Sequence, residues 1–481
     1  MKRVNMILIL VGLASFLQGC GGAPAYVRPE LPVPSEWKDR PVEEGAPIDP
    51  QAADMRWDEF FVDPRLRSVI ELALVNNRDL RVAALTVDKV RAMYRIREAE
   101  HYPVIAASAS ADAYRVPENM SGDGEARTVA QYTVGLGAAS WEIDFFGRIG
   151  SLKSRALEEY LATEQAGAAV RLSIISAVAD TYLSLAAKRE HLALARATFD
   201  TQNEFYELTI KTHDLGMASE LEVRQAQSQM EAAWVDIARF SGQVALSENA
   251  LNLLVGAPVI RELTAGNLND IAAMSGIGEG LSSEVLLRRP DILAAEHRLR
   301  AANANVGAAR AAFFPRISLT AAIGIVSSDL ADLFKSSAGT WNFAPQVTYP
   351  VFDAGSRRAG YTIAKADRNI AVAEYEKTIQ TAFREVNDEL SLRTTLITQE
   401  EAQSALAATL AKALQLSEAR YKGGIDSYLP VLVSQRSLYA AQQQLLAVRL
   451  ERLRNHVNLY RVLAGSAAIH GVAAPLTRMY K

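Results

Sequence analysis

The chain has 481 residues, of which 49% are hydrophobic and 22% are charged, and its formal net charge is −4. This length allows two or three globular domains or one large elongated domain. Lysine and arginine are scattered along the whole chain, so no concentrated basic surface could neutralise a phosphate backbone, and we expect no nucleic-acid partner. The single cysteine, Cys20, excludes a disulfide within the chain and a cysteine-based metal cluster.

The N-terminus has the pattern of an export signal, with basic residues at 2–3 followed by an apolar stretch at 6–17. This stretch is shorter than the roughly 20 residues that a membrane-spanning helix needs. The run Leu-Gln-Gly-Cys at 17–20 resembles the lipobox of bacterial lipoproteins, in which the cysteine is acylated. We therefore predict lipid attachment at Cys20, and the lack of an aspartate after it implies sorting to the outer membrane. Gln18 is unusual in a lipobox, and the alternatives are an ordinary cleaved signal or an uncleaved anchor with an incidental cysteine.

Beyond residue 20 no continuous apolar run approaches 18 residues, so the sequence predicts no membrane-spanning helix in the mature chain. Any membrane span must then be built from strands. Apolar and polar residues alternate in short segments, which is typical of a sheet with two unlike faces. The predicted strands are at about 102–115, 130–145, 314–327 and 341–353.

The chain contains a tandem duplication. Residues 77–111 resemble residues 289–323 at an offset of 212, and later segments match at an offset of 208. The matched pairs include Asp79 with Asp291, Pro103 with Pro315, Gly147 with Gly355 and Gly216 with Gly424. Each repeat is predicted to contain a helix, two strands and two long helices. The predicted organisation is a signal peptide at 1–19, a lipidated N-terminal segment at 20–76, repeats at 77–254 and 286–464, an insert at 255–285 and a tail at 465–481.

Four long helices are predicted at about 150–214, 219–254, 357–422 and 427–464, because proline and glycine are almost absent from them. At about 1.5 Å per residue, the longer two would each extend on the order of 90 to 100 Å. Their apolar residues include coiled-coil spacing at Ile175, Val178 and Tyr182. The helices of each pair meet near residues 215 and 424. Ser219 and Glu222 form a predicted capping box at the first tip, and Asp426 or Ser427 is a candidate cap at the second.

Four strands cannot close a barrel in lipid, where unpaired backbone groups are too costly. Several copies of the chain must therefore pool their strands. Two copies would give eight strands with little lumen, and three would give twelve with an open path. The predicted fold is mainly α with a β-barrel part.

Several sequence runs resemble the outer-membrane factor family of TolC-like and OprM-like channels, in particular its NodT-type lipoproteins. These runs are the lipobox, Leu-Leu-Arg-Arg-Pro-Asp-Ile at 286–292, Ala-Ala-Glu at 294–296, Ala-Ala-Asn-Ala at 301–304, Phe-Pro at 314–315 and the segment 421–435. The resemblance implies a homotrimer in outer-membrane lipid with a 12-stranded barrel, a helical periplasmic tunnel and an equatorial domain from the chain ends and insert. It also implies a passive efflux channel for drugs, toxic compounds or metal ions that binds a periplasmic adaptor and an inner-membrane RND-type transporter.

In this family, side chains at the periplasmic tips constrict the tunnel. Tyr421 and Asp426 lie at positions that resemble an inter-helix latch, although some members have arginine in place of Asp426. Acidic residues are common at two later positions, where this chain has Pro430 and Val433. The resemblance therefore implies a more apolar gate here. The alternative for Asp426 is a helix cap alone.

Glu220 and Glu222 on the first tip are further candidate gate residues. The six histidines show no metal-binding spacing, no phosphate-binding loop is present, and no acid, base or nucleophile constellation is evident. We therefore expect no catalysis, no metal and no cofactor other than the lipid on Cys20. The open alternatives are an exit channel for type I protein secretion and a lipid-anchored coiled-coil stalk without a pore.

Overall fold

The computed structural model describes residues 22–35, 37, 55–122, 124–271, 274 and 282–464. The predicted signal peptide, Cys20 and the tail at 465–481 lie outside these residues. The main elements in chain order are α1 (Trp57–Phe60), α2 (Pro64–Asn76), α3 (Arg78–Ala99), β1 (Ile105–Val116), β2 (Arg127–Glu142), α4 (Arg148–Asp214), α5 (Glu220–Val255), α6 (Pro290–Ala311), β3 (Arg316–Ser327), β4 (Gly339–Thr348), α7 (Ser356–Lys422) and α8 (Leu429–Leu463).

The element order repeats once along the chain. α3, β1, β2, α4 and α5 are followed by α6, β3, β4, α7 and α8 in the same order. Matching helices have nearly equal lengths: α3 and α6 contain 22 residues each, α4 and α7 contain 67 each, and α5 and α8 contain 36 and 35. The bounds of the four long helices differ from the predicted ones by at most two residues.

The described residues form two compact units. The first unit contains the sheet and consists of the described parts of Met1–Glu30, Val87–Thr163 and Ala295–Tyr375. The second unit is helical and consists of the described parts of Leu31–Thr86, Glu164–Ala294 and Glu376–Lys481.

The four strands form one antiparallel sheet in the order β1-β2-β3-β4. Within the described part of the chain, the outer edges of β1 and β4 therefore pair with no other strand. The β2–β3 ladder shifts by one residue between Ala138 and Trp141, which is a β-bulge, and Ser140 there has φ +52°. β4 carries Pro345, and proline is tolerated in a sheet chiefly on an edge strand.

Two strands end earlier in the structure than the sequence predicts. β2 ends at Glu142, and not near 145, because the chain turns into α4, where the Asp144 carboxylate accepts a hydrogen bond from the Gly150 amide at 2.6 Å. β4 ends at Thr348, and not near 353, for the same reason. Asp353 there accepts hydrogen bonds from the amides of Gly355 at 3.0 Å and Arg357 at 3.1 Å. Carboxylates at helix starts satisfy amides that have no partner inside the helix.

Aromatic side chains form the centre of the helical unit's core. The rings of Phe60 and Tyr460 stack with centroids 4.4 Å apart, and Phe61 packs edge-on against Phe60. Trp57 is fully buried beside them. The predicted coiled-coil residues Ile175, Val178 and Tyr182 belong to the same core and are at most 1% exposed.

The absence of a membrane-spanning helix from the mature chain stays a prediction, although one helix comes close to the pattern of a span. α4 contains an 18-residue window that is long and apolar enough to cross a membrane by length and composition alone. The sequence search missed it because isolated polar residues interrupt a continuous apolar run. Half of this window is buried inside the chain, as in a core helix, so the window is weak evidence for a span.

The buried seam of α4 predicts a large effect of truncating Ile175, which is 1% exposed. Ile175→Ala should lower the free energy of unfolding by about 2–5 kcal/mol, because it removes buried methyl groups and leaves a cavity. Ile397→Ala on α7, at a side chain that is 41% exposed, is the matched control and should change stability by less than about 1 kcal/mol. Denaturant unfolding of the purified protein measures both, and equal losses would contradict the assignment of the seam.

Candidate functional site

Two helix-to-helix tips have the same backbone geometry. At the first tip, Gly216 has φ +74° and the Met217 amide donates to the Thr212 carbonyl at 2.9 Å. At the second tip, Gly424 has φ +67° and the Ile425 amide donates to the Arg420 carbonyl at 2.9 Å. This is the Schellman motif, in which a left-handed residue ends a helix at little cost when it is glycine.

The two acidic candidates of the first tip are engaged in local contacts. The Glu222 carboxylate accepts from the Ser219 amide at 2.7 Å, and the Glu222 amide donates to the Ser219 hydroxyl at 3.3 Å. The predicted capping box is therefore confirmed. Glu220 accepts from the Arg224 guanidinium at 2.8 Å and lies 3.7 Å from the His213 ring.

Asp426 at the second tip is not a helix cap, so that interpretation was wrong. α8 begins after Tyr428, whose side chain makes no capping hydrogen bond, and Ser427 does not cap it either. The Asp426 carboxylate instead binds the Arg420 guanidinium through two hydrogen bonds of 2.5 and 2.9 Å. These bonds hold the pKa of Asp426 below its usual range and raise the pKa of Arg420. The Schellman turn explains the pairing, because it folds the chain after Gly424 back over the last helical turn.

Tyr421 belongs to an aromatic cluster with Phe205 of α4 and Tyr428. The Phe205 and Tyr428 rings stack at 4.5 Å, and the Tyr421 ring lies 5.7 Å from each of them. Burial raises the pKa of Tyr428, and burial together with the charge of Glu222 raises the pKa of Tyr421. The sequence analysis missed Phe205 and Tyr428, because their contact joins segments more than 200 residues apart.

Val433 is exposed and belongs to a set of apolar side chains on the two tips. Val433 and Leu429 are four residues apart on α8 and more than half exposed. Further exposed apolar residues at the tips are Leu215, Met217, Leu221 and Ile425. Clustered exposed apolar side chains are typical of a surface that another molecule covers. Among the described residues, no group of three or more His, Cys, Asp or Glu side chains could hold a metal ion.

A second candidate region is the N-terminal strap, residues 22–30, which follows the predicted lipid-attachment site and lies along α6. The Glu296 carboxylate, which is 3% exposed, accepts hydrogen bonds from Arg28 at 2.8 and 3.0 Å and from Arg300 at 2.7 Å. Tyr26 also donates to it at 3.1 Å. Burial disfavours the charge of Glu296, but these hydrogen bonds still hold its pKa below the usual range. Burial and that charge raise the pKa of Tyr26 to about 12.

The strap runs along α6 toward the helix end that leads into β3. The Asn303 side chain donates to the Pro24 carbonyl at 2.7 Å, two turns beyond Glu296. One further turn along, Ala23 packs on Gly307 so closely that a Cβ on Gly307 would lie 2.6 Å from the Ala23 Cα. Gly307 therefore lets two backbones meet. The sequence analysis quoted 294–296 and 301–304 only as family motifs and missed this strap.

The close contact at Gly307 predicts that a change from glycine to alanine lowers stability here, which is the opposite of its usual effect in a helix interior. Alanine normally stabilises a helix interior by roughly 0.5–1 kcal/mol. Gly307→Ala should instead lower the thermal unfolding midpoint, because its methyl group would displace the strap. Gly360→Ala in α7 is the matched control, since nothing lies within 4 Å of a Cβ there, and it should raise the midpoint. A rise in both variants would contradict the described strap contact.

Comparisons with known proteins agree with this geometry. A family model described as outer membrane efflux protein matches residues 69–257 and 281–465, one segment for each repeat. The chain is 44% identical over 460 residues to the toluene efflux pump outer membrane protein TtgC of Pseudomonas putida, covering 95% of each chain. It is 39% identical over 455 residues to the outer membrane protein OprJ of Pseudomonas aeruginosa, covering 94% of each.

Solved structures give the same result. The open state of the Neisseria gonorrhoeae MtrE outer membrane channel superposes with a TM-score of 0.85 at 34% identity, covering 93% of this chain and 99% of that one. CusC superposes with a TM-score of 0.82 at 39% identity, covering 93% and 100%. These are transport proteins and not an enzyme family. The chain belongs to the outer membrane efflux protein family and is an outer-membrane channel protein with a mainly helical fold and a β-barrel part.

Proposed function

We propose that three copies of this chain form the exit channel of a tripartite efflux pump. The observation that carries this proposal is the four-stranded sheet, which has one apolar face, one more polar face and two unpaired edges. A sheet edge cannot remain unpaired in hydrocarbon, because each unsatisfied backbone group costs several kcal/mol. Three copies would supply twelve strands, enough for a barrel with an open lumen, whereas eight strands leave an interior that side chains fill.

The channel would be passive and would carry small organic compounds. Relatives at 41 to 44% identity are named for the efflux of toluene, solvents and antibiotics. No described feature favours protein secretion or a stalk without a pore over this function. An inner-membrane transporter, which we propose to be of the RND type, would supply the energy for transport.

We propose that the two tips bind the periplasmic adaptor of the pump. The exposed apolar side chains there, among them Leu215, Met217 and Ile425, would be covered by apolar side chains of the partner. The charged pair of Arg420 and Asp426 lies within the same turn and could orient the partner through polar contacts.

The second tip would also gate the channel. Tyr421 packs α7 against Phe205 of α4, and the pairing of Arg420 with Asp426 closes the turn that precedes α8. Both contacts would keep the tips in a narrow, closed arrangement, and Val433, Glu220 and Glu222 lie on the adjoining helix starts.

Conductance in planar bilayers tests both the channel and its gate. The native protein should conduct ions as an oligomer, and Tyr421→Ala or Asp426→Arg should raise the single-channel conductance severalfold, because each removes a contact that closes the tip. Asp388→Arg, at an exposed carboxylate on α7 away from the tips, is the matched control and should leave conductance unchanged. Unchanged conductance in both tip variants would contradict the gate, and no conductance by the native oligomer would contradict the channel.

We also propose that Cys20 carries a covalent lipid beside the barrel. The strap supports this, because its contacts run from Glu296 past Asn303 to Gly307, toward the start of β3. Cys20 precedes Ala23 by three residues and so lies within roughly 11 Å of it. An acyl chain on Cys20 could then enter the same leaflet that the strands enter.

Metabolic labelling with radioactive palmitate tests the lipid. The native protein should incorporate label, and Cys20→Ser should incorporate none, since the chain has no other thiol. Ser35→Ala is a control that should keep the label. Equal labelling of native protein and Cys20→Ser would contradict lipid attachment at this residue.

A further inference from the structure

We propose a specific register for the contact between copies: the free edge of β4 in one copy pairs antiparallel with the free edge of β1 in the next, with Val347 directly opposite Ala109 of the next copy. This inference rests on the proposed oligomeric barrel and specifies how its wall closes. It follows from the internal repeat together with the registers inside the chain.

The first step is that the repeat relates the two hairpins residue by residue. Ile105 of β1 pairs with Ala138 of β2, and Ile317 of β3 pairs with Val347 of β4. Adding 212 to a residue number of β1 thus gives the corresponding residue of β3, and adding 209 to a residue number of β2 gives the corresponding residue of β4. The same two offsets reproduce every β3–β4 pair from Ile317 with Val347 as far as Ile325 with Gly339.

The second step applies these offsets to the ladder that joins the repeats. β2 corresponds to β4 and β3 corresponds to β1, so the β2–β3 ladder inside the chain is the counterpart of a β4–β1 ladder between copies. Ala138 pairs with Ala321 in β2–β3. Adding 209 to 138 gives Val347 of β4, and subtracting 212 from 321 gives Ala109 of β1. The counterpart of this pair between copies is therefore Val347 opposite Ala109.

The bulge in β2 agrees with this mapping. Trp141, beyond the bulge, pairs with Leu319 and corresponds to Tyr349 at the offset of 208 that the sequence shows near the long helices. Tyr349 would then lie opposite Ala107, which is the regular continuation of Val347 opposite Ala109. The one-residue difference between the two offsets is the extra residue of the bulge, which β4 lacks. The ladder between copies is therefore regular, apart from the amide donor that Pro345 cannot supply.

The two faces of the sheet give an independent check. Side chains of directly opposite residues lie on the same face, and a shift of one residue exchanges the faces. Over most of Phe343–Tyr349 the proposed register places apolar residues opposite apolar ones and polar residues opposite polar ones; Ala344 opposite Asp112 is the exception there, and Trp341 opposite Arg115 is another nearer the loop. The apolar pairs are Phe343 with Ala113, Pro345 with Ala111 and Val347 with Ala109, and the polar pairs are Gln346 with Ser110 and Thr348 with Ser108.

The sizes of the side chains also fit. On the apolar face, β1 presents Ala109, Ala111 and Ala113, whereas β4 presents Phe343 and Val347. Opposite residues are about 4.5–5.5 Å apart, so large side chains on one edge pack against small ones on the other with little crowding. A register shifted by two residues would keep the faces but would contradict the repeat.

Disulfide trapping between copies tests the register. In the double variant Val347→Cys with Ala109→Cys, the two positions are on opposite edges of one chain's sheet, so a disulfide between them must join two copies. Directly opposite residues have Cα atoms about 4.5–5.5 Å apart, within the range of a disulfide. Residues displaced by two are about 7–8 Å apart, which is too far.

Mild oxidation followed by non-reducing electrophoresis should therefore give a covalent oligomer with this variant, in at least about tenfold excess over two displaced controls. The controls combine Val347→Cys with Ala107→Cys or with Ala111→Cys. A second pair on the other face, Thr348→Cys with Ser108→Cys, should crosslink as well and serves if the first variant fails to assemble. Cys20 stays unchanged in every variant.

The outcomes separate the register from the proposed function. Preferential crosslinking of a displaced control, or equal crosslinking of all three variants, in a protein that still conducts ions would overturn the register and leave the channel intact. A native protein that is monomeric in detergent and does not conduct would overturn the proposed channel itself. Crosslinking of both directly opposite pairs, without the displaced ones, supports the register.

Discussion

Backbone amide and carbonyl groups that enter lipid need hydrogen-bond partners, and the proposed assembly follows from that requirement. A lone four-stranded sheet satisfies the inner sides of its strands and leaves the outer edges of β1 and β4 unpaired. Helices avoid the problem because their bonds lie within one segment, whereas strands must find neighbours. In the proposed channel, strands of neighbouring identical copies would supply these partners.

The internal duplication gives the chain two versions of each contact. Equal lengths of α4 and α7, and matching turns at Gly216 and Gly424, show that the backbone plan was kept in both repeats. The side chains on that plan differ. At the first tip a capping box begins the return helix α5, whereas the second tip has an ion pair and an aromatic cluster. Side-chain chemistry at the tips therefore differs between the repeats while the backbone scaffold remains the same.

Sequence patterns predicted the features that depend on near neighbours. Alternation located four strands, and the spacing of Ser219 and Glu222 predicted a capping box that the structure contains. Predictions failed where folding brings distant residues together. Asp426 looked like a cap until the turn placed it against Arg420, and the ends of β2 and β4 moved because Asp144 and Asp353 start the next helices. The contact of Arg28 with Glu296 spans 268 residues, and no local pattern could have indicated it.

Pro345 lies on the edge of β4 that is exposed in a single copy before any assembly with other copies. A strand edge is a template for any extended peptide, and edges that wait for a partner are sites where secreted β-proteins aggregate. Proline is accommodated on an edge strand with its nitrogen facing outward, so it interrupts the row of donors that a foreign strand would need. In the proposed register, a neighbouring copy would form the other bonds along β4 despite this gap, whereas a poorly matched peptide would form fewer. Pro345 would thus hinder aggregation of a newly exported chain in the periplasm before it assembles with other copies.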